Sequence, residues 1–127
     1  MPDYDAIHFN PPAPIVNAIL RHPGNGATVP NVQLLLDTGA DVTLLPRFAV
    51  ERVGVPRRAH EAYEIMGFDG TTSFASVVTA ELIVLDHAFR GRFLMIDQDR
   101  GILGRDVINQ FALLLDGPRR QWSKHGP

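Results

Sequence analysis

The sequence predicts an all-β class: a mostly β domain with one or two short helices, for three reasons. Its apolar runs are short, turn signals drawn from 11 glycines and 10 prolines recur between them, and only two stretches carry helix-start chemistry. The 127 residues, 45% of them hydrophobic, suit a single domain around one core. No internal repeat is visible.

Taken in order, residues 1–13 carry Pro2, Pro11 and Pro12 among polar neighbours and read as an extended arm, since proline blocks helix and removes ladder donors. The domain proper is expected over 14–122, with a tail at 123–127. Ile15, Val16, Ile19 and Leu20 form a β-like run that stops at His22-Pro23-Gly24-Asn25-Gly26, a cluster of turn formers. Val32–Leu36 is nearly all apolar, as expected for a strand buried on both faces. A short apolar stretch at Val42–Leu45 follows, and Pro46 is placed to open a short helix that ends at Gly54.

Residues 59–66 and 71–75 flank Gly67-Phe68-Asp69-Gly70, and Asp-Gly between β-prone arms predicts a hairpin over about 63–75. Two more strands, Val77–Leu85 and Phe89–Ile96, are expected to join near Asp86-His87. Ile102-Leu103 reads as a short strand leading into Gly104-Arg105-Asp106, which opens a helix of one or two turns to Gln110. Phe111–Leu115 is strand again, Gly117-Pro118 turns it, and Gln121-Trp122 is placed to close a last hairpin.

Composition narrows the function. A net charge of −2 leaves Arg57-Arg58 and Arg119-Arg120 as solvated turns and not a basic nucleic-acid face. The absence of cysteine excludes disulfides, thiol catalysis and cysteine metal sites, and fits a reducing compartment. The acidic start Met1-Pro2-Asp3-Tyr4-Asp5 lacks the features of a secretory signal, and no apolar stretch approaches the ~20 residues that span a bilayer. A cytoplasmic protein with no membrane or nucleic-acid partner is the expectation. His8, His22, His60, His87 and His125 are scattered without ligand spacing, so neither a metal nor another cofactor is expected.

The chemistry is concentrated in Leu34-Leu35-Leu36-Asp37-Thr38-Gly39-Ala40-Asp41. An apolar strand delivers a carboxylate from its end into a tight turn, where it needs partners to offset its desolvation. Gly39 permits close backbone approach, and the Thr38 hydroxyl can bond across a neighbouring turn. By itself Asp-Thr-Gly is also a common turn-capping sequence; the apolar lead-in and the following Ala40-Asp41 set this one apart.

That stretch resembles the active-site motif of retropepsin-type aspartic proteases, the single-domain relatives of the pepsins. Ile102-Leu103-Gly104-Arg105-Asp106 resembles the family's second signature, and Met66-Gly67-Phe68-Asp69-Gly70 falls where the family places its flap. The resemblance covers residues 14–116 and implies a closed acid-protease-like β barrel, one lobe per chain, active as a C2 homodimer. It implies that Asp37 is catalytic, that Thr38 braces the same loop of the partner subunit, that Gly39 presents backbone to an extended peptide, and that Asp41 pairs with Arg105. In this reading Met66–Gly70 covers the substrate. Asp69 departs from the uncharged flap tips of the family; it disfavours acidic substrates or simply serves as the turn residue before Gly70.

Peptide hydrolysis by this route takes one carboxylate to accept a proton from water and one carboxylic acid to polarise the scissile carbonyl. One Asp-Thr-Gly and no duplicate half therefore imply two chains, with the loop meeting itself across a two-fold axis. Pepsin-like relatives commonly carry a hydroxyl residue after Asp-Thr-Gly. Ala40 offers none to the carboxylate, so the activity optimum is expected to be mildly acidic. Beyond Leu115 the chain departs from the family's simple terminal strand: Trp122 either packs on a partner or caps its own core, and residues 1–13 either cross to the other subunit or hang free. Two rivals stand beside this reading. A phosphoryl-transfer enzyme would need a second Asp where Gly39 stands, or two lobes that 127 residues do not hold. A non-catalytic dimeric peptide-binding module of the same fold would keep the motif without the activity.

Overall fold

A computed structural model describes residues 2–66, 70 and 72–126, and of residues 57–66 and 72–74 the backbone alone. Its strands, in chain order, are β1 (Tyr4–Asp5), β2 (Ala13–Arg21), β3 (Thr28–Leu36), β4 (Leu44–Pro46), β5 (Arg57–Met66), β6 (Thr72–Val84), β7 (His87–Ile96), β8 (Gly101–Leu103), β9 (Leu113–Asp116) and β10 (Gln121–Lys124). Helix α1 (Arg47–Val53) lies between β4 and β5, and α2 (Arg105–Ile108) follows β8. No helix among the described residues is long and apolar enough to cross a membrane.

Eight strands form one sheet in the order β1-β2-β3-β8-β4-β7-β6-β5, and an additional β2–β6 pairing links the sheet back on itself. The remaining two, β9 and β10, pair with each other. The core lies inside this wrapped sheet, where Leu20, Leu34, Leu45, Leu82, Leu103 and several valines are fully buried. Helix α1 adds Ala49, Val50 and Val53 to it. The ends of α1 follow from sequence: Pro46 stands in the extended conformation just before it, and Gly54 ends it at φ 79°, a left-handed position that costs glycine little.

Several expectations are corrected. The strand expected at Val32–Leu36 begins at Thr28, and only Val29, Val32 and Leu34 are buried; Leu35 and Leu36 are half-buried, so β3 alternates instead of burying both faces. Its register against β2 shifts between Ala18 and Leu20, opposite Asn31 at φ 58°, a bulge that allows Pro30 and Asn31 to sit in the strand. The separate arms at 71–75 and Val77–Leu85 are one 13-residue strand, β6, because β5 pairs with Thr72 through Ser76 and the ladder with β7 then runs unbroken from Ser76 to Val84. Leu85 and Asp86, at φ 49° and 67°, reverse the chain in two residues. The expected strand at Phe111–Leu115 shifts to Leu113–Asp116, and α2 ends at Ile108, before Gln110.

The ends of the chain are built into the domain. Tyr4 and Asp5 pair with Pro14 and Ala13, Tyr4 N–H donates to Arg120 O at 2.8 Å, and Trp122 N–H donates to Pro2 O at 3.0 Å. Trp122 is buried in the main core, and its indole N–H donates to Ile15 O at 3.0 Å. Of the two roles open to Trp122, this chain's own core takes it.

Candidate active site

Strand β8 lies between β3 and β4. It runs parallel to β3 (Leu34 against Gly101, Leu35 against Ile102, Leu36 against Leu103) and antiparallel to β4 (Leu44 against Ile102). The chain that joins β3 to β4, residues 37–43, must therefore pass around the end of β8, and it does so where the chain leaves β8 for α2. The two sequence motifs expected to act together are neighbours for this reason. The close packing requires glycine: a Cβ on Gly101 would stand 2.1 Å from Leu44 O, and one on Gly104 would stand 2.6 Å from Val42 C.

Asp37 is held at the start of the loop. Its N–H donates to Leu103 O at 3.1 Å, continuing the β3–β8 ladder by one bond, and its Oδ1 accepts from Gly39 N–H at 2.9 Å. Ala40 N–H donates to Asp37 O at 3.2 Å, which closes a turn. That turn leaves Asp37 half-buried, with Thr38 and Gly39 exposed.

Arg105 closes the loop from below. Its backbone N–H donates to Ala40 O at 2.9 Å, its Nη1 donates to Thr38 O at 2.6 Å, and its Nη2 meets the Asp41 carboxylate. The guanidinium thus spans both ends of the turn that carries Asp37, which a fork of fixed donors can do and a single ammonium cannot. The Asp41–Arg105 pair is solvent-exposed on both sides, so its value lies in geometry more than in stability.

A second set of contacts was not anticipated from sequence. Thr43 is fully buried; its hydroxyl donates to Asp106 Oδ1 at 2.7 Å and accepts from Gly104 N–H at 3.1 Å, while Thr43 N–H donates to Asp106 Oδ2 at 3.1 Å. These three bonds tie the far end of the loop to the first turn of α2. The signal for them was present: Thr43 is the polar residue within the apolar run Val42–Leu45, and a buried hydroxyl needs partners. What was missing was the partner's identity.

This arrangement, an Asp-Thr-Gly loop at the end of one strand, fastened to a Gly-Arg step at the end of its parallel neighbour, is matched by a known family. The model of the family described as aspartyl protease matches residues 24–107, both motifs included. The chain belongs to the aspartyl protease family. Among solved structures, the EIAV protease complexed with the inhibitor HBY-793 aligns with a TM-score of 0.57 at 22% sequence identity, covering 84% of this chain and 91% of that one. At that identity the likeness speaks for the fold: mostly β with few short helices, as in a retroviral protease. No curated protein matches the chain.

Of the site residues expected for an aspartyl protease, Asp37, Thr38, Gly39, Ala40, Asp41, Leu103, Gly104 and Arg105 are brought together by direct contact, and Ile102 stands beside them, paired with Leu35 and Leu44. The flap expectation is different. Met66 and Thr72 pair at the end of the β5–β6 ladder, and Gly70 has φ 83°. Gly67, Phe68 and Asp69 lie outside the described residues.

Proposed function

We propose that the protein is an aspartic endopeptidase, active as a C2 homodimer in which two copies of Asp37 hold the attacking water. The observation that carries this reading is the fixing of Asp37: its N–H donates to Leu103 O, its carboxylate accepts from Gly39 N–H, and Arg105 binds Thr38 O and Asp41 on its turn, so a half-buried carboxylate is held in one orientation. Such preorganisation is what acid–base chemistry on a peptide bond demands.

In the proposed cycle, one Asp37 carboxylate takes a proton from water as the water attacks the scissile carbonyl carbon. The partner copy, protonated, donates to the carbonyl oxygen. Collapse of the tetrahedral species returns a proton to the leaving amine and breaks the C–N bond. Thr38 is exposed beside Asp37; in this scheme it braces the matching loop of the second chain, and Gly39 lies along the substrate backbone. The β5–β6 hairpin, with Met66, Gly67, Phe68, Asp69 and Gly70 at its tip, serves as the flap and adds strand-like hydrogen bonds to the extended peptide. The sheet linked back on itself is the lobe of a closed acid-protease-like barrel. No cofactor takes part in this scheme.

The test is peptide-library profiling of the wild type and Asp37→Asn, with pepstatin as control and sedimentation to read the oligomer. The expected outcome is cleavage by the wild type with a mildly acidic optimum, inhibition by pepstatin, and a loss of about 10²–10⁴-fold or more in Asp37→Asn with the dimer retained. Equal cleavage by both proteins, or a lone chain at working concentration, would refute the reading. Binding without cleavage would leave the peptide-binding module in its place.

A further inference from the structure

Among the described residues β9 pairs with β10 alone, so its other edge is open. The far side of β10 is taken by the chain's own arm. Asp3 pairs with Gln121, Trp122 N–H donates to Pro2 O at 3.0 Å, and Tyr4 N–H donates to Arg120 O at 2.8 Å. Those bonds turn the peptide groups of Arg120 and Trp122 toward residues 2–4, and strand alternation turns those of Gln121 and Ser123 toward β9. Gln121 stands opposite Asp116 and Ser123 opposite Leu114, so Asp116 and Leu114 spend their N–H and C=O on β10. The N–H and C=O of Leu113 and Leu115 therefore point out from the open edge.

The side chains suit pairing there. Leu115, opposite Trp122, lies on the face toward the core, and Leu114, opposite Ser123, lies on the other face. They are 51% and 50% exposed, although Leu113 packs against the main core. From Phe111 to Leu115 the chain carries no charge and no proline, the usual devices that keep a bare edge from pairing. The nearest charge, Asp116, is answered within its own turn by Arg119 N–H at 3.2 Å.

A second copy of this chain fits the edge. A strand pairs with its own copy antiparallel about a two-fold axis, the symmetry that one Asp-Thr-Gly per chain demands. The edge is also tied to the site. Helix α2 joins the Gly104-Arg105 step, which grips the Asp37 loop, to Phe111, whose N–H donates to Ile108 O at 3.0 Å. A stable interface buries ~1,200–2,000 Å² in total, more than a strand of four residues supplies from each side. The exposed Thr38 and Gly39 are the surface of that loop available to extend it.

Resting on the proposed peptidase reading, we infer that two chains join edge to edge through β9, each keeping its own residues 2–4 on its own β10. In the joined sheet Leu113 pairs with the partner's Leu115 and Leu115 with the partner's Leu113, each pair exchanging both N–H···O bonds. The two copies of Leu114 face each other on the axis in the non-hydrogen-bonded pair, where side chains approach closest. The Asp37 loops meet about the same axis and complete the interface.

The chain has no cysteine, so one introduced thiol reads the axis directly. Cα atoms of a non-hydrogen-bonded antiparallel pair stand about 4.5 Å apart, within the ~4.4–6.8 Å that a disulfide spans. Under mild oxidation Leu114→Cys should become a covalent dimer on a non-reducing gel. Ile7→Cys, at an 89% exposed position away from the edge, should stay largely single and so measures random collision. Leu114→Lys sets like charges against each other and should raise the dimer's dissociation constant by about tenfold or more in sedimentation, with circular dichroism unchanged. The double variant Asp3→Cys and Gln121→Cys should close within one chain.

Cross-linking of Leu114→Cys no faster than that of Ile7→Cys, or unchanged association of Leu114→Lys, in a protein that cleaves peptide as a dimer, would overturn the edge and leave the peptidase reading standing. A disulfide between chains in the Asp3 and Gln121 double variant would overturn the separate arms. Rapid cross-linking of Leu114→Cys beside a wild type that never cleaves would sustain the edge and overturn the peptidase. A single chain at every concentration would overturn both.

Discussion

The loop at residues 37–43 and the terminal β9–β10 hairpin are both attached to the β2–β3 part of the sheet, and they are held by opposite means. The loop is fastened by polar bonds: the Thr43 hydroxyl to Asp106, Gly104 N–H to that hydroxyl, and the Arg105 side chain to Thr38 and Asp41. The hairpin is fastened chiefly by a large apolar plug, Trp122, whose indole N–H donates to Ile15 O, with peripheral polar contacts to Pro2, Asp3, Tyr4 and His87, while Leu114 and Leu115 remain about half exposed. Hydrophobic burial is strong and non-directional; hydrogen bonds add less net stability but fix angles. The difference teaches where this molecule gains stability and where it gains precision: the plug secures the fold, and the polar bonds orient the carboxylate.

Three substitutions can break that division, and a pH series sharpens it. The largest effect is expected from Trp122→Ala. It empties the plug's site and should cost about 3–5 kcal/mol by denaturant unfolding, while activity per folded molecule is kept. A loss of cleavage far beyond the loss of folded protein would show that the hairpin also shapes the site.

Thr43→Val preserves volume but leaves Gly104 N–H and Asp106 without their hydroxyl partner, at a cost of about 1–3 kcal/mol. Here kcat/KM should fall further than the folded fraction does, since the loop end is released. Equal losses in the two measurements would mean that Thr43 serves stability alone.

Arg105→Lys should change stability by no more than ~1 kcal/mol, because the pair it breaks is exposed. Steady-state kinetics should nonetheless show a clear fall in kcat, because an ammonium does not reach Thr38 O and Asp41 together. Unchanged kcat would remove Arg105 from the positioning of Asp37.

The smallest effect belongs to the N-terminal arm. Asp5 accepts hydrogen bonds from the backbone of His8 and Ile7 and meets the His8 ring at 2.9 Å. The backbone N–H of His8, above all, holds its carboxyl below the usual aspartate value of 3.8 despite an opposing contribution from burial. A group whose folded-state value is lowered stabilises the fold above its unfolded value, and that contribution is lost as the pH falls through the folded one. The melting temperature of Asp5→Asn should therefore lie slightly below that of the wild type at neutral pH, and the gap should close as the solution is acidified below the ordinary aspartate range. A gap that widened in acid would overturn the assignment.

Much of the site could be read from the sequence because its signals are local. Asp37-Thr38-Gly39 at the end of an apolar strand, Gly104-Arg105 after Ile102-Leu103, and Pro46 and Gly54 at the ends of α1 each declare themselves within a few residues. The pairing of Asp41 with Arg105, expected from family resemblance, is met by a direct contact between side chains 64 positions apart. The expectations that failed were those that depend on a neighbour. Leu35 and Leu36 read as fully buried because their run is apolar, yet how far β3 is covered depends on the elements packed across it. The supposed break at Ala75-Ser76 disappeared because β5 pairs across it, and β7 takes up the pairing from Ser76 onward.

The sequence by itself determined the mostly β class, the caps of α1 and the position of the candidate catalytic carboxylate, since all of these rest on backbone preferences and short-range patterns. Only the tertiary structure decided that Thr43 would find Asp106 across 63 residues, that Trp122 would enter its own core, and that residues 2–5 would lie against β2 and β10. The physical reason is that a chain states which groups need burial or a hydrogen bond, whereas which group meets that need depends on the register of strands distant in sequence.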